Sequence, residues 1–216
     1  MRWLKLSLLS LTLGLSGDAL AGPESPESVE AIVEAVESTY KDVESLQANF
    51  VQVTRSLTIG EEQEQKGSVV LQRPKRMRWD FTSPDARLFV TDGQEMWIYA
   101  PSDNQAMVYP DTGSGTGMES LLTDLSQISE FFNVEKIDAP AGGSSVALKL
   151  TPREEASFKY LKLTLSQSSY EVQQVVVVDT FDNETALSFS DVQLNGDISG
   201  VEFSFVPPDG VEVIRQ

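Results

Sequence analysis

Asp111-Thr112-Gly113-Ser114 reproduces the D-T-G-S sequence with which aspartic proteases present a catalytic carboxylate. That chemistry needs two such aspartates sharing one proton, because two adjacent carboxylates do not both ionise. The chain carries a single copy, and Pro110 stands where an apolar strand should lead into it. A hydrolase built on Asp111 would have to take its second aspartate from another copy of the chain. The overlapping run Gly113 to Gly117 precedes an apolar helical pattern, as a phosphate loop does, but lacks the lysine–hydroxyl pair of a Walker sequence. Asp179, Asp182, Asn183 and Glu184 offer oxygen ligands without the spacing of an EF-hand loop, and read first as a solvated hairpin turn. Asn183-Glu184-Thr185 matches a glycosylation sequon by pattern. Among 33 acidic residues no pair stands out as a glycosidase dyad.

The sequence holds no histidine and no cysteine. A Ser-His-Asp triad, a thiol nucleophile, a disulfide and a thiolate metal site are therefore impossible. The residues call for no catalytic group, no metal and no cofactor. A binding face is the better-supported reading. From Gly67 to Phe81, alternation sets Val69, Leu71, Arg73, Met77, Trp79 and Phe81 on one side of a hairpin. Phe89, Met96, Trp97, Ile98 and Tyr99 follow on the next strands. Each alone reads as ordinary core, but Arg73 at the edge of that face needs acceptors, since burying an unpaired guanidinium is costly. Its five donors can hold helix carbonyls across a cavity mouth, or it can extend to water or to one of many carboxylates. Lys75, Arg76 and Arg78 surround it in an otherwise acidic chain.

The elements that must position these residues are legible from periodicity. Residues 1–21 read as an export signal: Arg2 and Lys5, the apolar run Leu6 to Leu15, and small residues at Ala19 and Ala21. Setting aside Arg2, Lys5 and Asp18, the 16 basic and 33 acidic residues become 14 and 32, a net of −18 over 22–216. That balance disfavours nucleic acid as a partner. Ser25-Pro26 reads as the N-cap and first position of an amphipathic helix running to about Glu44, with Val29, Ile32, Val33, Val36, Tyr40 and Val43 on one face. Strands are predicted at 46–58, 66–73, 76–82, 87–91, 95–100 and 105–109. A second helix follows over 118–132, with Met118, Leu121, Leu122, Leu125, Ile128, Phe131 and Phe132 at helical spacing. Further strands are predicted at 145–151, 158–166, 171–179, 184–190 and 201–206. The expected fold is a single domain, mainly β with α: an unclosed antiparallel barrel of about eleven strands with helices against its concave side.

Gly67, Arg73-Pro74, Trp79 and Pro84-Asp85, then Val90-Thr91-Asp92-Gly93, Met96-Trp97-Ile98-Tyr99 and Pro101, together with the ending Phe203-Ser204-Phe205-Val206-Pro207-Pro208-Asp209-Gly210-Val211, resemble the periplasmic outer-membrane lipoprotein carrier family, LolA. The resemblance runs from the first helix to that ending. It implies a helical lid over an apolar cavity and a monomeric periplasmic carrier, not an enzyme. Its cargo would be triacylated lipoproteins, taken from an inner-membrane ABC releasing complex and passed to an outer-membrane lipoprotein acceptor. Absence of a cysteine at the mature start sets the chain apart from that lipid-anchored acceptor. Arg73 takes the place of the family's latch to the lid backbone, the lid maps onto 118–132, and the acyl-chain lining onto Met77, Trp79, Phe89 and Trp97. Lys75, Arg76 and Arg78 fall outside the motif, which assigns them no role; a rim for docking a partner is one reading of them. The competing readings are a lipid-sensing module of the same fold and a hydrolase using Asp111.

Overall fold

The computed structural model describes residues 28–56, 60–110, 125–141 and 143–215. Helix α1 (Val29–Lys41) starts at Ser28, whose backbone is extended and whose hydroxyl oxygen receives the Ala31 N–H at 3.2 Å. The cap is thus Ser28; Ser25 and Pro26 lie outside the described residues. Glu30 in the first turn and Lys41 in the last complement the helix dipole. Ile32, Val36 and Tyr40 recur every fourth residue and are buried together with Val33. The helix stops before the predicted Glu44 because Asn195 diverts the chain. Its Oδ1 receives the N–H groups of Glu44 (2.7 Å) and Ser45 (3.2 Å), and its Nδ2 donates to the Asp42 carbonyl (3.1 Å). Short polar side chains of this kind offer backbone groups an alternative to the helical ladder.

Past that junction lie β1 (Ser45–Arg55), β2 (Glu62–Gln72), β3 (Arg76–Ser83), β4 (Arg87–Thr91), β5 (Glu95–Ala100) and β6 (Gln105–Pro110). A 3₁₀ turn, Leu125–Gln127, runs directly into the one-turn helix α2 (Ile128–Phe131). Then come β7 (Phe132–Ile137), β8 (Ser145–Pro152), β9 (Phe158–Ser166), β10 (Val172–Asp179), β11 (Glu184–Leu194) and β12 (Glu212–Arg215). All twelve strands form one sheet in the order β12-β6-β5-β4-β3-β2-β1-β11-β10-β9-β8-β7. Every neighbouring pair is antiparallel except β12 with β6, which is parallel. β7 and β12 are the two edges, so the sheet is unclosed, as predicted.

Three differences from the sequence expectation have physical causes. The second helix ends at Phe131, and Phe132 opens β7: the adjacent Phe131 and Phe132 fit a helical face, but Phe132 and Val134 already alternate with polar residues and pair with β8. The predicted strand over 201–206 does not form. Val201, Phe203 and Phe205 alternate like a strand, yet Pro207 and Pro208 have no N–H to donate, and this stretch crosses the sheet as an arm instead. The arm returns to the ladder only at β12, a short edge strand that the sequence did not announce.

Residues facing each other across antiparallel strands share a face. On the inner face one row runs Ala48, Val69, Trp79, Phe89, Ile98 and Met107. A neighbouring row joins Phe50, Gly67 and Phe81. The other half of the sheet contributes Leu148, Leu163, Val175 and Leu187, all fully buried. The first of these rows as far as Phe89, the others, the α1 stripe, Leu125 and Ile128 form one continuous core. Gly67 is where this packing is tightest. An added Cβ would run into the Asp80 carbonyl oxygen and come within 2.9 Å of Phe50 Cε1, and its absence lets the Phe50 and Phe81 rings meet edge to face at 5.1 Å.

Tyr40 ties α1 to the far half of the sheet. It is 1% exposed, and its hydroxyl oxygen receives the Val172 N–H at 2.9 Å. Burial, the largest influence, pushes its pKa up from 10.0 to about 12, against the pull of that hydrogen bond and with help from Glu171. The neutral phenol is therefore the folded form, and its contribution is whole below pH 10 and drains away as the pH rises through 12. Tyr40→Phe should cost about 1–3 kcal/mol at neutral pH by leaving the Val172 N–H without its acceptor. Urea melts should show the gap to the wild type narrowing above pH 10, since the variant has no phenol to ionise there. Gly67→Ala should cost about 1–3 kcal/mol by overpacking, read in the same melts, and disturb the near-ultraviolet aromatic circular dichroism.

Candidate functional site

Among the described residues no group of three or more carboxylates is arranged to hold a metal ion. The Asp179–Glu184 stretch is a self-contained turn. Asp179 receives the N–H groups of Phe181 (2.7 Å) and Asn183 (2.9 Å) and the Asn183 amide (2.8 Å). Those donors, the Asn183 amide first, hold its carboxyl below the usual carboxylate range. Asp182 and Glu184 pair with Lys159 (2.6 Å) and Lys162 (2.9 Å). Asp111 and the glycine run after it lie outside the described residues.

The inner face of β2–β4 is the strongest candidate. Val69, Leu71, Met77 and Trp79 are each at most 4% exposed, and Phe81 and Phe89 pack partly buried against them. Phe50, Trp79, Phe81 and Phe89 form an aromatic cluster with ring centroids 5.1 to 6.3 Å apart. Period-two alternation over Gly67–Phe81 places these side chains, and the paired register carries them across to Phe89.

Trp97 belongs elsewhere. It faces Val90 across the ladder, and Val90 faces Arg78, so Trp97 lies on the outer face with them and not with Trp79. There the Phe205 ring covers Trp97 (5.5 Å) and Tyr99 (5.1 Å), while Phe203 is almost buried. Arg78 anchors this arm. It grips Asp80 through Nε (2.7 Å) and Nη2 (3.0 Å) and donates Nη1 to the Glu202 carbonyl at 3.0 Å. A half-buried bidentate pair of this kind is a strong, directional contact. Arg78 is thus a structural clamp rather than part of a docking rim. Lys75 and Arg76 remain exposed at the β2–β3 turn, with Arg76 Nη1 donating to Gln72 Oε1 at 3.3 Å. A groove of about 460 Å³ lies beside the arm, bordered by Arg78, Arg87, Leu88, Tyr99 and Phe205.

Arg73 sits half-buried at the end of β2, and its own N–H donates to the Glu44 carbonyl at 2.9 Å. Its Nη2 donates to the Tyr40 carbonyl in the last turn of α1 (3.3 Å) and to Ser126 Oγ in the 3₁₀ turn (3.4 Å). One guanidinium therefore spans the strand end, the first helix and the segment leading into α2. A second polar tie joins the same parts: Glu37 Oε1 on α1 receives the Ser129 N–H at 2.8 Å. Leu125 and Ile128 are fully buried beneath these bonds; Leu121 and Leu122 lie outside the described residues. Beside them a groove of about 330 Å³ opens between α1 and β7, lined by Val29, Val33, Glu37, Phe132 and Arg153. Sequence reasoning missed Glu37, Ser126 and Asn195. Each is a common polar residue whose role appears only when distant segments meet.

The model of the outer membrane lipoprotein carrier protein LolA family matches residues 41–206. The chain is 31% identical over 193 residues to an outer-membrane lipoprotein carrier protein of Methylobacillus flagellatus, covering 88% of this chain and 93% of that one. It is 32% identical to the corresponding carrier of Nitrosomonas europaea, covering 79% and 82%. A conserved protein of Thermus thermophilus shares the fold, with a TM-score of 0.54 at 17% identity over 88% of this chain and all of that one (100%). The extent of the family match and the two carrier relatives place this chain in the outer membrane lipoprotein carrier family, LolA.

Proposed function

We propose that this protein is a periplasmic carrier that takes up the acyl chains of lipoproteins released from the inner membrane and hands them to an acceptor at the outer membrane. The observation that carries this reading is the contrast between what fills the inner face and what fastens it. The face is apolar throughout its central row, yet the helical parts lying on it are tied at their ends by a few hydrogen bonds from Arg73 and Glu37. A filling fastened in this way can be exchanged for another apolar filling. The bulk of the apolar contact is replaced, not lost, when acyl chains enter.

The magnitudes favour such an exchange. An acyl chain of about 16 carbons represents roughly 12 kcal/mol of apolar surface, so several chains cannot cross water unshielded. An empty, open inner face would be an equally unfavourable exposed patch. Lid segments that occupy their own binding face resolve both problems, and the net balance is left to polar latches worth about 1–3 kcal/mol each. In this reading Arg73 is the latch, and Val69, Leu71, Met77, Trp79, Phe81 and Phe89 are the acyl-binding face. The 3₁₀ turn with α2, including Leu125 and Ile128, is the base of the lid. No bond is made or broken. The donor is an ABC releasing complex in the inner membrane, the acceptor is itself a lipoprotein of the outer membrane, and transfer follows relative affinity. Residues 1–21 serve as the export signal.

The test is direct. Incubated with inner-membrane vesicles containing a triacylated lipoprotein and an active releasing complex, the protein should carry the lipoprotein into the supernatant as a one-to-one complex. A supernatant free of lipoprotein would sink the reading. Arg73→Leu should keep the fold but speed amide hydrogen exchange across Ser126–Phe131 by roughly tenfold, as the loss of one or two hydrogen bonds predicts. Loading or onward transfer should change with it. Unchanged exchange and an unchanged transfer cycle would remove Arg73 from the mechanism.

A further inference from the structure

Trp79 carries a buried indole Nε1 that has no hydrogen-bond partner among the described residues. The residue itself is 4% exposed. Buried tryptophan N–H groups usually find an acceptor, and one that does not is a cost the fold keeps. Its surroundings explain why none is met. The cross-strand row through Trp79 is Ala48, Val69, Phe89, Ile98 and Met107, which supplies no side-chain oxygen. The Phe50 and Phe81 rings cover it at 5.3 and 6.3 Å. A wholly apolar side chain would suit an apolar face without stranding a donor, and the indole N–H therefore calls for a separate reason.

We propose that Trp79 Nε1–H donates a hydrogen bond to an acyl ester carbonyl of the bound ligand, so that the inner face reads the linkage of the acyl chain as well as its hydrocarbon. The inference rests on the carrier reading and deepens it. Hydrocarbon alone would leave the indole donor as it is. A phosphate would satisfy the donor only by bringing charge onto an apolar face, at a desolvation cost far above the value of one bond. An ester carbonyl is uncharged, accepts strongly and sits at the head of each O-linked acyl chain. Before the ligand enters, the donor is unmatched among the described residues, and the ligand's carbonyl removes that penalty on entry. This makes the preference a differential one, given only to ligands that carry the acceptor.

The experiment compares two synthetic probes: an N-acetylated cysteinyl peptide bearing an S-linked dipalmitoylglyceryl group, and its dihexadecyl-ether counterpart. Binding to the wild type should favour the ester probe by about three- to tenfold, the worth of one buried hydrogen bond. In Trp79→Phe the ratio should fall to about one. Because the smaller ring also loosens packing, the wild type provides an independent reading: the Trp79 indole proton resonance, assigned by its absence from Trp79→Phe, should move downfield with the ester probe and not with the ether. Equal affinities of the wild type for both probes, or an indole resonance that responds to neither or to both alike, would overturn the inference while leaving the carrier reading standing. If neither probe bound at all, both readings would fall.

Discussion

Tyr40 is the point on which the architecture turns. A sheet of twelve strands that does not close has no ladder of hydrogen bonds between its two edges, so although β1 and β11 hold its halves in register, the curvature that brings those halves face to face must be fixed from elsewhere. Helix α1 does this from inside, and Tyr40 supplies both attachments. Its hydroxyl reaches the start of β10 through the Val172 N–H, and its carbonyl receives Arg73 from the end of β2. Asn195, at the end of β11, then fixes the turn from α1 into β1. The inner face is held by a helix end with polar partners on three sides, while apolar contact supplies the bulk of the stabilisation.

The two faces of the sheet are covered in different ways, and the difference matters for the proposed role. The outer face over β3–β5 is sealed by the C-terminal arm, with Phe205 on Trp97 and Tyr99 and with Arg78 clamped to Asp80 and the Glu202 carbonyl. β12 then continues the same segment into the ladder beside β6. The inner face is covered by α1 and the turn at Leu125–Phe131, which reach it through side chains and a few terminal hydrogen bonds. A ladder strand exchanges poorly, because removing it strands a row of backbone groups. A helical turn carries its own backbone bonds, so the turn at Leu125–Phe131 can move off the face while α1 stays tied to the sheet by Tyr40. The covering suited to displacement is therefore on the inner side.

Much of this was legible beforehand. Alternation from Gly67 to Phe81 put Val69, Leu71, Met77, Trp79 and Phe81 on one face, and the turn chemistry at Asp92-Gly93 separated β4 from β5. Asp92 there receives the Glu95 and Gln94 N–H groups, Glu95 having the larger effect, and they hold its carboxyl below the usual range. What failed was the placement of residues whose pattern fits two structures. Trp97 sits in the run Met96-Trp97-Ile98-Tyr99, apolar at every position, where alternation cannot say which side faces in; only pairing with Val90 decides it. Phe203 and Phe205 alternate as a strand would, but they join no ladder, and Phe205 packs on the Trp97 and Tyr99 rings of β5 instead. Arg73 and Arg78 looked like members of one basic cluster. They lie on opposite faces, tied to different segments.

The sequence by itself determined most of the local choices: the strands β1 to β6 and β8 to β11, where α1 runs, that no thiol or imidazole chemistry is available, and that an arginine stands at the edge of an apolar face. Hydrophobic period, turn residues and composition act over a few residues and can be read without a fold. Tertiary structure decided which face each apolar run presents, which carbonyl and hydroxyl Arg73 reaches, and that Trp79 keeps a buried donor with no acceptor among the described residues. Those outcomes depend on segments separated by many residues arriving at one place. A hydrogen bond acts over about 3 Å, so chain order carries little information about which groups come that close.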